Sequence, residues 1–311
     1  MPHGSRRVPV AVYGALAANF GIAVAKFAAA AITGSSALLS EGIHSVADTG
    51  NELLLLLGIS RSRKPADATH PYGYGKELYF WSLIVSIILF ALGGGASIYE
   101  GVEHMIHPEP LRPATWSFVV LGMALVFESA SLTLALRELR SEPGPASVWR
   151  AVRSSKDPTV YMIVGEDVAA VTGVIVAAIG VALGSRFAEP LFDAAASIVV
   201  GCILSAVAIL LARESRDLLV GESGGGALVE DVRRIAELDD AVERVGRPLT
   251  MQLGPNEVLV NLTVEFSSDL PKADLAVALE RIESAIQRAH PEVTRIFVKS
   301  TFSKRPRVFP R

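Results

Sequence analysis

The sequence predicts a mostly α-helical membrane protein, six transmembrane helices followed by a small α/β domain of α-β-β-α-β, ferredoxin-like order. Three observations predict it. Apolar residues gather in six stretches near or above the roughly 20 residues that a helix needs to cross the hydrocarbon core. Lys and Arg concentrate in alternate loops between them, and past Val220 the composition changes to that of a soluble module. In bulk, 50% of the 311 residues are hydrophobic, 20% are charged and the mean hydropathy is +0.41, which argues against a wholly water-soluble chain.

The six stretches are Val10 to Thr33, Ser36 to Ile59, Leu78 to Ile106, Trp116 to Leu136, Tyr161 to Leu183 and Pro190 to Leu211. Short turns join the first pair and the last pair, so each pair reads as a helical hairpin. Met1 to Pro9 runs into a full-length span without a small-residue cleavage site, so a removable signal peptide is not expected. The N-terminal tail, the second and fourth loops and the segment after span six carry thirteen Lys and Arg residues. The other loops carry only Arg112 and Arg186. Because translocating these cations is disfavoured, both chain ends are expected to be cytoplasmic, in a multi-pass protein of the cell (inner) membrane.

The expected domains are residues 1–219 for the membrane part, 220–303 for the cytoplasmic α/β part and 304–311 for a mobile tail. The Gly221-Glu222-Ser223-Gly224-Gly225-Gly226 run reads as a hinge of linker type. Leu228 to Leu238 has helical spacing, and Ala241 to Leu253 reads as one strand. After a Gly254-Pro255-Asn256 turn, Val258, Val260, Leu262, Val264 and Phe266 alternate at the period of a half-buried strand. Ala273 to Ala289 is helical again, and Val293 to Lys299 is a last short strand, giving an antiparallel sheet with helices on one face. So small a core makes dimerisation through this module an expectation.

Several function classes fall away. A formal net charge of -3 gives no basic surplus for a nucleic-acid partner. Cys202 is the only cysteine, which excludes an intrachain disulfide and any site built from several thiolates. No His-Glu-x-x-His or Gly-x-Ser-x-Gly pattern occurs, so an intramembrane hydrolase is set aside and no prosthetic group is expected.

Ionisable residues inside apolar helices mark the candidate chemistry, because an unpartnered charge there costs at least about 2.5 kcal/mol. In span two, His44 and Asp48 are four apart and Asn51 three further on, all on one helix face. An imidazole nitrogen and a carboxylate oxygen one turn apart suit a borderline divalent cation. The same pair could instead hydrogen-bond and hold helices together. Glu41, at the mouth of this span, reads as a solvated or capping acid.

Glu166 and Asp167 in span five point about 100° apart, so one can face the same centre while the other faces a neighbouring helix. Glu128, in the middle of span four, could be a ligand, a proton carrier or a partner for a buried donor. Asp193 reads as the N-terminal cap of span six. His104 and His107, beside Glu100 and Glu103, read as exposed helix-end residues.

With His44-Ser45-Val46-Ala47-Asp48 in span two, Asp167 in span five and the His70-Pro71-Tyr72-Gly73-Tyr74-Gly75-Lys76 loop, the chain resembles the cation diffusion facilitator family of divalent-metal transporters. The loop, Leu136-Arg137-Glu138-Leu139-Arg140 and Gly165-Glu166-Asp167 resemble the branch containing the mitochondrial zinc transporter. The resemblance implies a homodimer in the lipid bilayer that exports Zn²⁺, or Mn²⁺, Fe²⁺, Co²⁺ or Cd²⁺, in exchange for protons by alternating access. It also implies His44, Asp48 and Asp167 as ligands of the transported ion.

The family's pattern places a further His or Asp four residues before the span-five Asp, where this chain has Ile163. Glu166 and Glu128, with Asn51 behind them, are the candidates to replace it. The family's peripheral loop site matches at Asp67 and His70, but Tyr74 stands at the next usual His, so a weak or absent site is expected. His290 is the only histidine of the C-terminal module, and no binuclear metal site is expected there. The competing reading is a non-transporting, metal-binding or scaffold membrane dimer, favoured by the interruption at Ile163.

Overall fold

The structure, a computed structural model, describes residues 10–108, 115–141 and 156–302, with side chains from residue 20 onward except 138–141 and 272. The expected tail at 304–311 and the loop cations Arg6, Arg7, Arg112, Arg150 and Arg153 lie outside the described residues. The chain divides into two compact units. One comprises the chain up to Ser60 with Phe80–Arg216, the other Arg61–Tyr79 with the chain from Asp217.

The helices that lie wholly or mainly in the first unit are α1 (Val10–Thr33), α2 (Ser36–Ser62), α3 (Glu77–Ile106), α4 (Thr115–Ser141), α5 (Pro158–Phe187) and α6 (Leu191–Val220). Among the described residues, the apolar segments Glu77–Ile106, Thr115–Arg137, Pro158–Phe187 and Leu191–Val220 are long and apolar enough to cross a membrane, so the protein is a multi-pass membrane protein. α1 is described with its side chains only from Phe20, and α2 is interrupted by Glu41, His44, Asp48 and Glu52. Both are helical where spans one and two were expected.

Local sequence explains the boundaries. Gly34 takes a positive φ of 68° and turns α1 into α2. Asp157 caps α5 by accepting from the Thr159 amide at 2.9 Å, with Pro158 at the first helical position. α3 widens to a π-helix over Leu89–Gly95, where three successive glycines lie.

Small residues let α3 and α6 approach backbone to backbone. A Cβ at Gly201 would lie 2.8 Å from the Gly94 carbonyl oxygen, and one at Gly101 would lie 2.7 Å from that of Ala194. Gly201→Ala is therefore expected to destabilise the protein by about 1–3 kcal/mol, because backbone rather than a flexible side chain must yield. A thermal midpoint in detergent equal to that of the wild type would contradict this packing.

The second unit contains α7 (Gly226–Glu237), β1 (Val242–Val245), β2 (Leu249–Gly254), β3 (Glu257–Phe266), α8 (Lys272–Ala289) and β4 (Val293–Phe302). β3 is central. Its alternate residues Val258, Val260, Leu262, Val264 and Phe266 are buried, as the period of two predicts, against Leu228, Val232 and Ala236 of α7 and Ala278, Ile282 and Ile286 of α8. Each such side chain, fully buried, contributes about 1.5–3 kcal/mol, and sharing them between both helices places α7 and α8 on one face.

Three expectations need correction. The single strand from Ala241 to Leu253 is two, β1 and β2, both antiparallel to β3 along the same edge. Gly246, Arg247 and Pro248 separate them, since Pro248 has no N–H for the ladder. The last strand runs ten residues and pairs parallel to β3, from Val258 opposite Val293 to Phe266 opposite Phe302, so the sheet is mixed rather than antiparallel. α8 provides the crossover that a parallel pair requires.

The glycine-rich hinge, finally, is fastened to β2. Gln252 donates its amide to the Glu222 carbonyl at 2.9 Å, and the Gly224 amide donates to Thr250 Oγ1 at 3.1 Å. The loop between α2 and α3 also packs within this unit. Lys76 Nζ donates to the Leu219 carbonyl at 3.1 Å, and Arg295 donates to the Pro71 carbonyl at 3.2 Å while lying 5.4 Å from the Tyr72 ring centroid. Gly75 lies so close to the Leu253 carbonyl that no side chain fits there.

Candidate cation site

The i, i+4 spacing of α2 sets one polar face in an otherwise apolar helix, and that face meets α4 and α5 at a cavity of about 450 Å³. Ser45, Asp48 and Glu52 line it from α2, Glu128 and Ser131 from α4, and Thr159, Ile163, Glu166 and Asp167 from α5, with Ile22 from α1. Four of the acids expected in the sequence, Asp48, Glu128, Glu166 and Asp167, thus share one cavity. Glu52, one turn beyond Asp48, is a fifth that the sequence reading passed over. Its i, i+4 relation to Asp48 was the available signal.

His44 is fully buried one turn before Asp48, its Nδ1 3.2 Å from Asp48 Oδ1. The approach lacks hydrogen-bond geometry: neither ring nitrogen nor Asp48 Oδ1 has a hydrogen-bond partner. Asn51, also fully buried, donates from Nδ2 to Glu166 Oε1 at 2.8 Å and leaves its own Oδ1 without a partner. Asp167 accepts from Ser131 Oγ at 3.0 Å. The two neighbouring acids of α5 therefore both line the cavity but are held from different helices, Glu166 from α2 and Asp167 from α4. Ile163, one turn before Asp167, lines the same wall.

Among the described residues, no three His, Cys, Asp or Glu side chains converge closely enough to hold an ion as they stand. The carboxylates of Asp48, Glu128 and Asp167 nevertheless line one cavity, each from a different helix. Oxygen donors with one imidazole are a donor set for divalent zinc, manganese, iron or cobalt, and not for a thiophilic monovalent ion.

Two acids depart from their expected roles. Glu41 is not solvated: it is fully buried and accepts from Lys26 Nζ at 3.1 Å. Lys26, in the middle of α1, was not singled out, although a lysine interrupting an apolar stretch was a readable signal. Asp193 caps α2 and not its own helix. It accepts from Ser35 Oγ at 2.8 Å, Ser36 Oγ at 3.1 Å and the Ala37 amide at 3.4 Å, tying α6 to the start of α2.

Asp67 and His70 lie in the exposed loop. Asp67 Oδ1 accepts from the Thr69 amide, the Thr69 hydroxyl and the His70 amide at 2.7–2.9 Å, and Oδ2 accepts from the Tyr74 hydroxyl at 2.7 Å. These bonds, the Tyr74 hydroxyl foremost, hold the Asp67 carboxyl well below the usual carboxylate range. Their contribution is present above the ordinary Asp value of about 3.9 and is lost as pH falls through the depressed folded value. Tyr74→Phe is expected to move Asp67 back towards its ordinary value in an NMR pH titration; an unmoved titration would mean that the phenol does not bond Asp67 in solution. His104 pairs with Glu100 at 3.1 Å and His107 with Glu103 at 3.0 Å, each along its own helix. His290 lies 3.2 Å from Glu292 and 3.6 Å from Asp231.

Comparison with known proteins adds independent findings. A family model described as the cation efflux transmembrane domain matches residues 12–220. The mitochondrial proton-coupled zinc antiporter of Homo sapiens is 36% identical over 266 residues, covering 83% of this chain and 47% of that protein. A metal tolerance protein of Arabidopsis thaliana is 33% identical over 272 residues, 86% of this chain and 58% of its own length. The manganese efflux system protein of Bacillus subtilis is 26% identical over 288 residues, 91% of this chain and 92% of its own. The chain spans about half the length of the zinc antiporters that it matches.

Proposed function

The chain belongs to the cation diffusion facilitator family, in the branch that includes the mitochondrial zinc antiporters, and from that premise we propose that it exports a divalent metal cation, Zn²⁺ first among the candidates, in exchange for protons. The observation that carries the proposal is the acid-lined cavity between α2, α4 and α5, with the fully buried His44 beside it. Four or more carboxylates around one apolar-walled cavity within membrane helices are tolerable only with a cation or protons among them.

In this proposal His44, Asp48 and Asp167 bind the dehydrated ion in the inward-facing state, and Glu166, Glu128 and Asn51 supply or steady a fourth donor in place of Ile163. Binding requires a neutral imidazole and ionised carboxylates, so metal and protons compete for the same groups. Rocking of the helical hairpins then opens the site to the other side, where incoming protons reoccupy the ligands and release the metal. α1 and α2 complete six spans with both ends cytoplasmic, and the protein works as a homodimer in the cell membrane.

The test is uptake of Zn²⁺, Mn²⁺ and Fe²⁺ by liposomes containing the purified protein under an imposed pH gradient. Flux of one ion that requires the gradient is the expected result. No flux of any ion from a folded dimer would favour the scaffold reading, which the separation of the side chains around the cavity also supports.

A further inference from the structure

Lys26 and Glu41 form an ion pair, Nζ to Oε2 at 3.1 Å, with both side chains at 0% exposure. Burying two charges in a membrane helix pair is expensive unless each is compensated. The compensation here is incomplete: Glu41 Oε1 is buried with no hydrogen-bond partner. A buried pair that only joins helices can often be replaced without loss by apolar side chains of similar volume. Its position offers a use for the charges.

Lys26 Nζ also donates to Ser45 Oγ at 2.8 Å, and Ser45 lines the cavity. Ile22, one turn before Lys26 on the same face of α1, lines it too. Behind the pair stands Gly173 of α5, where a Cβ would lie 2.5 Å from Glu41 Oε1. Asp48 and Glu128 both lie within electrostatic reach of Lys26 and of Glu41.

We infer that Lys26 is a positioning residue for transport: by neutralising Glu41 and anchoring Ser45, it keeps the Glu41 carboxylate from adding its charge to the five that line the cavity and so fixes the charge that the cavity presents. The inference rests on the transport reading. Glu41 is three residues before His44 on α2, near enough to add its charge to the site once its lysine is gone. A divalent ion held by one extra acid would bind tightly and leave slowly. Lys26 thus favours release, which a transporter needs as much as binding.

The experiment measures the dissociation constant of Zn²⁺ alone for the purified full-length protein, its Lys26→Met and Glu41→Gln variants and the double variant. Initial-rate flux separates KM from kcat for each. Lys26→Met is expected to tighten binding about tenfold or more and to lower kcat, since it adds a net negative charge; Glu41→Gln adds a net positive one and should weaken binding about tenfold. The double variant should return to within about threefold of the wild type.

Shifts of opposite sign that cancel are not produced by a merely structural pair, for which both single variants would lose binding together. Where Lys26→Met does not fold, Glu41→Gln and Lys26→Arg decide: the arginine variant should keep the wild-type constant, and an unshifted Glu41→Gln overturns the inference. Wild-type binding with no opposite shifts overturns this inference alone. A wild-type protein that binds no cation overturns the transport reading, and this one with it.

Discussion

Asp48→Ala is expected to abolish cation flux, by about 100-fold or more, while leaving the protein as stable as the wild type or slightly more stable. The first half follows from the carboxylate's place: it lines the cavity, one turn from the fully buried His44, with its Oδ1 free of any hydrogen bond. The second half follows from the same fact. A partly buried carboxylate with an unpartnered oxygen contributes nothing to the fold that alanine would lose. Flux through the proteoliposomes and a melting curve in detergent test the two halves separately. Wild-type flux in Asp48→Ala would sink the ligand assignment. Lost flux together with a melting point lowered by many degrees would make Asp48 a structural acid.

How far the sequence could reach differs between the two parts of the chain. The apolar stretches placed the helices α1 to α6, four of which are, among the described residues, long and apolar enough to cross a membrane, because a helix in lipid must satisfy its backbone internally and leaves a long apolar record. The alternation from Val258 to Phe266 likewise placed β3 with its buried face. What escaped was pairing between segments distant in sequence. Whether Val293–Phe302 lies parallel or antiparallel to β3 depends on how α8 returns the chain, and a single strand's pattern does not encode that. The interruption at Pro248 was legible in principle, since proline removes a ladder hydrogen bond.

The same division holds at the candidate site. His44, Asp48, Glu128, Glu166 and Asp167 were readable one by one, because each interrupts an apolar run. Their partners were not. Nothing in the spacing of α5 says that Asn51 reaches Glu166 or Ser131 reaches Asp167; both contacts come from how three helices pack. Asp193 shows the hazard of reading a residue only against its own helix: an acid in the first turn of α6 caps α2 instead, across more than 150 residues of chain. Glu41 and Lys26 make the corresponding case for charges, each unexplained until the other is found beside it.

Ile163 offers the converse experiment, a gain rather than a loss. It stands one turn before Asp167, lines the same cavity and is 43% exposed, so a planar polar side chain of similar volume can be received without overpacking. Ile163→His places an imidazole on the wall that already presents Asp167, in the cavity that Asp48 lines from α2 with His44 one turn before it. If those residues hold the ion, the added nitrogen raises the donor set towards the two-nitrogen, two-oxygen arrangement that suits tetrahedral zinc. Zn²⁺ binding is expected to tighten by about tenfold or more, with little change for Mn²⁺, which prefers oxygen donors and higher coordination. Transport should slow in the same variant, because an ion held more firmly in both orientations leaves less readily for the protons that replace it. Zn²⁺ and Mn²⁺ affinities that stay unchanged in a folded Ile163→His protein would mean that the ion does not sit between α2 and α5, and the search for its ligands would move to Glu52, Asn51 and Glu166.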